Sequence, residues 1–420
     1  MEKAIIVGVE LNTSEYSLDY YLEELTNLAS SLDIEVVDRV TQKLDKINPK
    51  YYIGSGKVAE IKNALVALEA DTVIFDDELS PSQIRNLEKA LEVKVIDRTL
   101  LILDIFATRA STTEAMLEVR LAKLKYMLPR LVGLNNYMSR QGGSSSLASK
   151  GSGEKQIELD RRKIAAEIIQ IEEKLKKIKN ERSLQREKRQ KTSIPIVSLV
   201  GYTNAGKSTT FNTILKHSKI KNEKEVMEKD MLFATLGTSV RNIKLPSNQE
   251  ILLIDTVGFV SKLPTLLVNS FRSTLEEIIN SSLIIHVVDI SSPYYHNQVK
   301  VTKEVLKEIG VNDIEEIYLL NKYDKCEENK LFVEGKSLYF SNKTGLNNEQ
   351  LIHLIENSVL DKSNTLLKLN VPLENGKAIS VIEGSGIIKA KIFTQNSIYY
   401  QAYIPNILVS KVRNYIVKEK

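Results

Sequence analysis

The sequence predicts an α/β protein of several domains, and three observations carry that prediction. Strand-like and helix-like runs alternate over residues 1–108 and again over residues 195–360. Between these blocks lie two helical stretches with heptad spacing. At 420 residues the chain is long enough for two to four cores. The expected architecture is a doubly wound, mostly parallel sheet over 195–360, an α/β domain over 1–108, an antiparallel helical hairpin over 109–191 and a small α+β domain over 366–420.

Each element follows from local pattern. "AIIVGVEL", "DIEVVDRV", "DTVIFDD" and "VKVIDRT" read as strands of the first block. In "SPSQIRNLEKAL" Ser80 is placed to cap a helix, Pro81 sits at its first position and Gln83 completes a capping box. "YYIGSGKVAEIK" sets two glycines and Lys57 between a strand and a helix. A tight βα turn is the expected reading, with a phosphate loop at Gly54–Lys57 as the weaker alternative. Residues 111–132 carry Leu117, Leu121, Leu124, Leu128 and Leu131 at 4-3 spacing. Residues 154–190 carry Ile157, Arg161, Ile164, Ile168, Ile171, Leu175, Ile178 and Arg182 in the same rhythm, so the longer arm could reach about 55 Å. The Gly/Ser loop 133–153 joins them and holds Arg140 and Lys150 but no acid. The tail alternates short β-rich runs with Asn-Gly and Gly-Ser turns.

Composition narrows the class. Apolar residues make up 42% and charged residues 27%, as in soluble globular chains. One cysteine excludes a disulfide framework and fits a reducing compartment. The opening "MEKAIIVGVELN" reads as a strand, and no 18-residue apolar run exists. A cytoplasmic protein is expected, with peripheral membrane association left open. Net charge is +4, but residues 109–191 alone carry 20 Lys+Arg against 10 Asp+Glu, leaving the rest acidic. A basic segment on an acidic chain points to a polyanion partner, and a solvated helical face is the alternative.

"GYTNAGKS" (201–208) follows the apolar strand "IPIVSLV" and opens the helix "STTFNTIL". Gly-x-x-x-x-Gly-Lys-Ser in that setting is a phosphate loop. Gly201, Tyr202, Thr203, Asn204, Ala205 and Gly206 can wrap phosphates with backbone N–H groups, with Thr209 in the first helical turn beyond. Lys207 is placed to reach the β- and γ-phosphates, and Ser208 to offer a hydroxyl to Mg²⁺. "EILLIDTVG" ends a buried strand with Asp255, Thr256, Val257 and Gly258. Asp255 can hold Mg²⁺ through water, and the Gly258 N–H can register a γ-phosphate. Lys207, Asp255 and Gly258 are therefore the catalytic candidates.

"EEIYLLNKYD" supplies Asn321, Lys322 and Asp324, and "LYFSNKTG" supplies Ser341, Asn342 and Lys343. A carboxylate only accepts hydrogen bonds, and guanine presents two donors on one edge, so Asp324 selects GTP over ATP. The four motifs in this order define a GTP-hydrolysing domain. A switch segment is expected in 217–239, where Thr235 or Thr238 could close on Mg²⁺. The residue after Gly258 is Phe259, where a signalling GTPase carries a water-orienting Gln. Slow unstimulated hydrolysis is expected, and Phe259 either reflects a timer or merely packs beneath the switch. His286 reads as a core residue, and four His with Cys326 form no metal spacing.

The chain resembles the HflX family of ribosome-associated GTPases over nearly its whole length. The resemblance rests on "NPKYYIGSGKVAEIK", "DRTLLILDIFATRASTTEAMLEVRLAKLKYMLPRL", "GEKQIELDRRKI", "GYTNAGKST", "DMLFATL" and "DTVGFVSKLPTLLVNSFRSTLEE". It implies that Phe233, Ala234, Thr235, Leu236 and Gly237 line the nucleotide and that Thr235 joins Ser208 on Mg²⁺. It also implies a partner, the large ribosomal subunit (50S) and its rRNA, met by the first block and the hairpin. Ribosome splitting, recycling or rescue is the implied role for a monomer. A nucleotide-gated RNA-binding factor in ribosome assembly is the alternative. Two departures stand out: Gly237-Thr238-Ser239 replaces the family's Asp-Pro-Thr, and "GGSSSLASKGSGEK" lacks the family's loop Arg and Pro.

Overall fold

The computed structural model describes residues 2–11, 17–131, 150–190, 194–219, 233, 239–264, 267, 277–326 and 335–417. It divides into two compact units. One comprises Met1–Lys179 with Met231–Leu236 and Ser261–Arg272; the other comprises Asn180–Asp230, Gly237–Val260 and Ser273–Lys420.

In the first unit, β1 (Glu2–Leu11), β2 (Ile34–Leu44), β3 (Thr72–Phe75) and β4 (Lys94–Asp97) form a parallel sheet in the order β2-β1-β3-β4. Crossovers run through α1 (Leu18–Ser30), α2 (Ser55–Leu68) and α3 (Pro81–Leu91). Residues 4–9 of β1 and all of β3 are buried, as expected where helices cover both faces of a parallel sheet. Ile5, Val7, Val73 and Phe75 anchor one core against Ile61, Leu65 and Leu87. The expected capping box is formed: Gln83 N–H donates to Ser80 Oγ, and the Gln83 side chain accepts from the Ser80 N–H. Gly54 caps α2, and its N–H donates to Gln42 Oε1 at 2.9 Å. Lys57 pairs with Glu60. These contacts make "IGSGK" the tight βα turn.

Helix α4 (Arg98–Arg109) starts on an Asp97 cap, whose side chain accepts from Leu100 N–H at 2.8 Å. Helices α5 (Thr113–Met127) and α6 (Lys150–Gln190) share one apolar seam. Leu117, Leu121 and Leu124 meet Ile164, Ile168, Ile171 and Leu175, the residues the heptads select. Arg120 reaches Glu167 through two hydrogen bonds at its rim. One boundary differs from expectation: α6 begins at Lys150, so 150–153 belong to the helix rather than the loop. The remainder of the loop lies outside the described residues.

The second unit is built on six strands: β5 (Ile196–Val200), β6 (Ser239–Lys244), β7 (Glu250–Asp255), β8 (Leu283–Asp289), β9 (Glu315–Asn321) and β10 (Lys336–Tyr339). Their order is β10-β9-β8-β5-β7-β6, with only β6 antiparallel to its neighbour. Chain order reverses at β5, the topological switch point of the doubly wound sheet. Helices α7 (Lys207–Lys216), α8 (Tyr295–Glu308) and α9 (Asn348–Ser363) flank it. Phe211, Ile214, Leu253, Leu319 and Phe340 lie in its core. His286 is 1% exposed in β8, and burial first, then the Lys303 and Lys207 charges, hold its pKa down near 3. It is the neutral core residue expected.

Helix α9 runs directly into β11 (Asn364–Pro372), which pairs antiparallel with β13 (Ser397–Pro405); β13 in turn pairs with β12 (Ile387–Phe393). Between β11 and β12 the chain forms α10 (Gly376–Ser385), capped by Asn375. That helix replaces part of the expected run of strands and turns. Ala378 and Ile382 bury against Tyr400 and Ala402, so tertiary packing overrides the β-branched composition.

Candidate functional site

The switch point fixes the site. The loop after β5 must leave the sheet, turn sharply and start α7, and two glycines make this possible. Gly201 has φ +145°, and a Cβ there would lie 2.2 Å from Val287 O. Gly206 has φ +95°, and a Cβ would lie 2.2 Å from Asn321 Nδ2. Both positions exclude a side chain. The loop therefore packs against β8 and β9 through bare backbone.

Lys207 opens α7 and folds back over the loop. Its Nζ donates to Gly201 O at 3.0 Å and Tyr202 O at 2.7 Å. Only 7% exposed, it has its pKa pushed down to about 8 by burial, against an opposing pull from Asp255. Ser208 Oγ donates to Asp255 Oδ2 at 2.9 Å. This brings a hydroxyl and a carboxylate together, hard oxygen donors of the kind Mg²⁺ prefers. Thr256 lies beside them but serves the sheet, its Oγ1 donating to Leu199 O at 2.7 Å.

The segment after Asp255 is laced to the phosphate loop. Phe259 N–H donates to Gly201 O at 3.2 Å, and Thr203 N–H donates to Phe259 O at 2.8 Å. Tyr202 and Phe259 thus form a parallel bridge. Gly258 lies so close that a Cβ would come within 2.9 Å of Thr203 Cα and 3.0 Å of Lys207 Nζ. The Phe259 ring is 2% exposed. Its burial supports the packing reading of that residue.

At the other end, Asn321 closes β9 and donates from Nδ2 to Ala205 O at 2.8 Å, joining the base loop to the phosphate loop. Asn342 N–H donates to Asn321 Oδ1 at 3.3 Å. The Asn342 side chain bonds Thr210 and Thr213 of α7, each at 2.9 Å, so its amide braces the loop. Ser341 Oγ donates to Asp324 Oδ1 at 2.5 Å. Lys322, at φ +61°, pairs with Asp289 at 2.8 Å. Asp289 was not singled out from sequence, although its place at the carboxyl end of "LIIHVVD" marks it. Lys343 is exposed.

Phe233, grouped in sequence with the nucleotide-lining residues, packs edge-on against Phe106 of α4, with ring centroids 4.5 Å apart. Ala234, Thr235, Leu236, Gly237 and Thr238 lie outside the described residues. Sequence reasoning also missed Arg98, Glu24 and Asp76. Arg98 is 2% exposed, donates to Asp76 Oδ1 at 2.6 Å and bonds Glu24. Its Nε donates to Ser261 O at 3.2 Å. "DRTLL" carried no signal of this beyond an arginine in an apolar run.

A glycine-built loop between strand and helix at the switch point of a doubly wound sheet is the setting of a P-loop GTPase. Three family descriptions match in succession: "GTP-binding GTPase N-terminal" over 19–107, "GTP-binding GTPase Middle Region" over 109–189 and "50S ribosome-binding GTPase" over 196–322. The chain is 40% identical to the GTPase HflX of Caldanaerobacter subterraneus subsp. tengcongensis, over 99% of this chain and 94% of that protein. It is 41% identical to GTPase HflX of Escherichia coli K12, over 78% and 74% respectively. The chain belongs to the HflX family of GTPases. Among solved structures, a GTP-binding protein from Sulfolobus solfataricus in complex with GDP is 25% identical, covering 86% of this chain and 100% of that one with a TM-score of 0.43.

Two outcomes follow from this geometry. Lys207 must be protonated to hold phosphate, so GDP affinity should weaken as pH rises through about 8. Fluorescent GDP titrations between pH 7 and 9.5 check this, and Lys207→Arg should flatten the profile. Phe259→Gln places an amide in an apolar pocket and should destabilise the protein by about 2–4 kcal/mol. Thermal melting measures the loss, and the unstimulated GTPase rate should not rise.

Proposed function

We propose that this GTPase binds the large ribosomal subunit (50S) and its rRNA and acts in ribosome splitting, recycling or rescue, with hydrolysis stimulated by the ribosome. The observation that carries this reading is the basic segment 109–191, whose excess of ten positive charges is borne largely by α5 and α6. A rod of that charge suits a phosphate backbone. The family description over residues 196–322 points the same way.

Within the site, the backbone N–H groups of Asn204 to Thr209 bind the phosphate chain, and Lys207 leaves its loop carbonyls to meet the β- and γ-oxygens. Asp324 accepts from the guanine edge while Ser341 holds its carboxylate in place. Lys322 lies along the base, steadied by Asp289. The Ser208–Asp255 oxygen pair fits Mg²⁺, with Thr235 as the further ligand. When bound, the ion neutralises phosphate oxygens as charge moves to the leaving group. Gly258 turns its N–H to the γ-phosphate. Among the described residues no helix is long and apolar enough to cross a membrane.

GTP turnover with and without purified 50S subunits tests the proposal. A rise of at least about tenfold at saturating subunits is expected, since stimulated GTPases gain 10³ or more. No rise sinks it. Sucrose gradients with nucleotide-locked protein separate splitting, which moves 70S particles to subunits, from assembly, which leaves the protein on immature particles. For the site itself, Asp324→Asn should shift preference from GTP to XTP, because xanthine offers an acceptor where guanine offers a donor. Unchanged GTP affinity in that variant removes the base assignment.

A further inference from the structure

The small C-terminal sheet has two unlike faces. β11, β13 and β12 lie side by side, and residues opposite one another share a face. On the inner face Leu369, Tyr400, Ala402 and Ile404 join Ala378 and Ile382 of α10 in one core. The outer face carries the alternate residues of β13, Tyr399, Gln401 and Tyr403. Asn370 and Ile392 stand opposite Tyr399, one on each side of it. Lys368 stands opposite Gln401. Lys368, Asn370 and Ile392 are exposed, and Tyr399 and Gln401 are half-buried. Ile392, at 58% exposure, adds apolar surface next to Tyr399.

A bulge aims a cation at the same face. It falls between Ile388 and Ala390 of β12, so Lys389 is the extra residue. Its Nζ lies 4.9 Å from the centre of the Tyr403 ring. Tyr403 is buried, so its part here is to hold the ammonium through the ring face. An ammonium held this way is a defined point of positive charge. Tyr399 and Tyr403 are four residues apart on β13, about 13 Å along the strand. The face therefore has an aromatic ring at one end, a positioned cation at the other and two amides beside the ring. The surrounding charge agrees: residues 364–420 hold eight Lys+Arg against three Glu and no Asp, a net of +5.

We infer that the outer face of this sheet is a docking surface for single-stranded RNA. One base stacks on Tyr399, the Asn370 and Gln401 amides meet base edges, and Lys389 and Lys368 take the phosphates. Every unpaired base offers a π-face, and an amide carries both a donor and an acceptor for its edge. A duplex fits this face less well, because its bases are stacked on one another and its deep groove is closed to side chains. A protein is the competing occupant, and the positive charge with its positioned lysine favours phosphates over it. This face lies outside residues 109–191 and does not depend on the basic segment that carries the proposed function.

The test uses the full chain and a 4-thiouridine oligoribonucleotide of about 12 nucleotides, a length within single-strand site sizes. Ultraviolet cross-links are mapped by mass spectrometry. The yield on residues 364–405 is titrated against RNA, which reports this face separately from the basic helices. Cross-links within β11 to β13 are expected. Tyr399→Ala should weaken that titration by about fivefold or more, and Tyr399→Phe, which keeps the ring, should leave it within about twofold. Lys389→Gln should reduce the slope of log affinity against log salt by about 0.7, the share of one phosphate contact on a single strand. Should Tyr399→Ala not fold, Lys389→Gln carries the test through its salt slope. Cross-links only outside residues 364–405, or an unmoved titration in both variants, overturn the inference. So does weaker 50S-stimulated GTP turnover in these variants with RNA cross-linking intact, since the face would then dock a protein.

Discussion

Glycine backbone packed at distances no Cβ can enter is the constraint from which the rest of the site follows. At Gly201 the loop rests on the carbonyl of Val287, at Gly206 on the amide of Asn321, and at Gly258 on Thr203. These three approaches tie the phosphate loop to β8, to β9 and to the strand carrying Asp255. The phosphate end and the base end of the site are thereby held in register. Asn321 completes the connection, since one side chain bonds both Ala205 and Asn342. A replacement at any of these glycines would have to separate two elements at once.

The buried ionic cluster of Arg98, Asp76 and Glu24 obeys different physics. Each charge loses hydration on burial, and mutual attraction roughly offsets that loss, so the cluster adds little net stability. Removing one partner is another matter, costing about 3–5 kcal/mol because the others remain buried and unpaired. Such clusters specify geometry better than they stabilise a fold. Here the specified geometry includes that of the Ser261 peptide, whose carbonyl accepts from the arginine Nε. Lys262 extends the same network to Asp77, closer to solvent.

How far the sequence revealed this depended on the range of each interaction. Local signals were legible: the Ser80–Gln83 capping box, the heptads of α5 and α6, and the strand–loop–helix setting of "GYTNAGKS" all lie within a few residues or one repeating period. Asp324 and Ser341 were singled out by their chemistry, and a hydrogen bond brings them together. What was missed is non-local. Arg98 meets Ser261 across 163 positions and Glu24 across 74, and no periodicity links them. Helix α10 was missed for a related reason. Its residues have strand-like composition, and only burial of Ala378 and Ile382 against β13 makes them helical.

Phe259 shows how a backbone requirement can dictate a side chain. Its N–H and carbonyl both face the phosphate loop, bonded to Gly201 and Thr203. Its ring is 2% exposed. An amide in that place would lose its hydrogen bonds to water and find none on the inside, at a cost of about 1–3 kcal/mol on mutational scales. The Phe259 side chain has no hydrogen-bonding atom with which to order a water. The group that orients the attacking water is therefore a different one. The backbone of Phe259 holds the strand after Asp255 to the phosphate loop, and its buried ring contributes packing rather than a polar group.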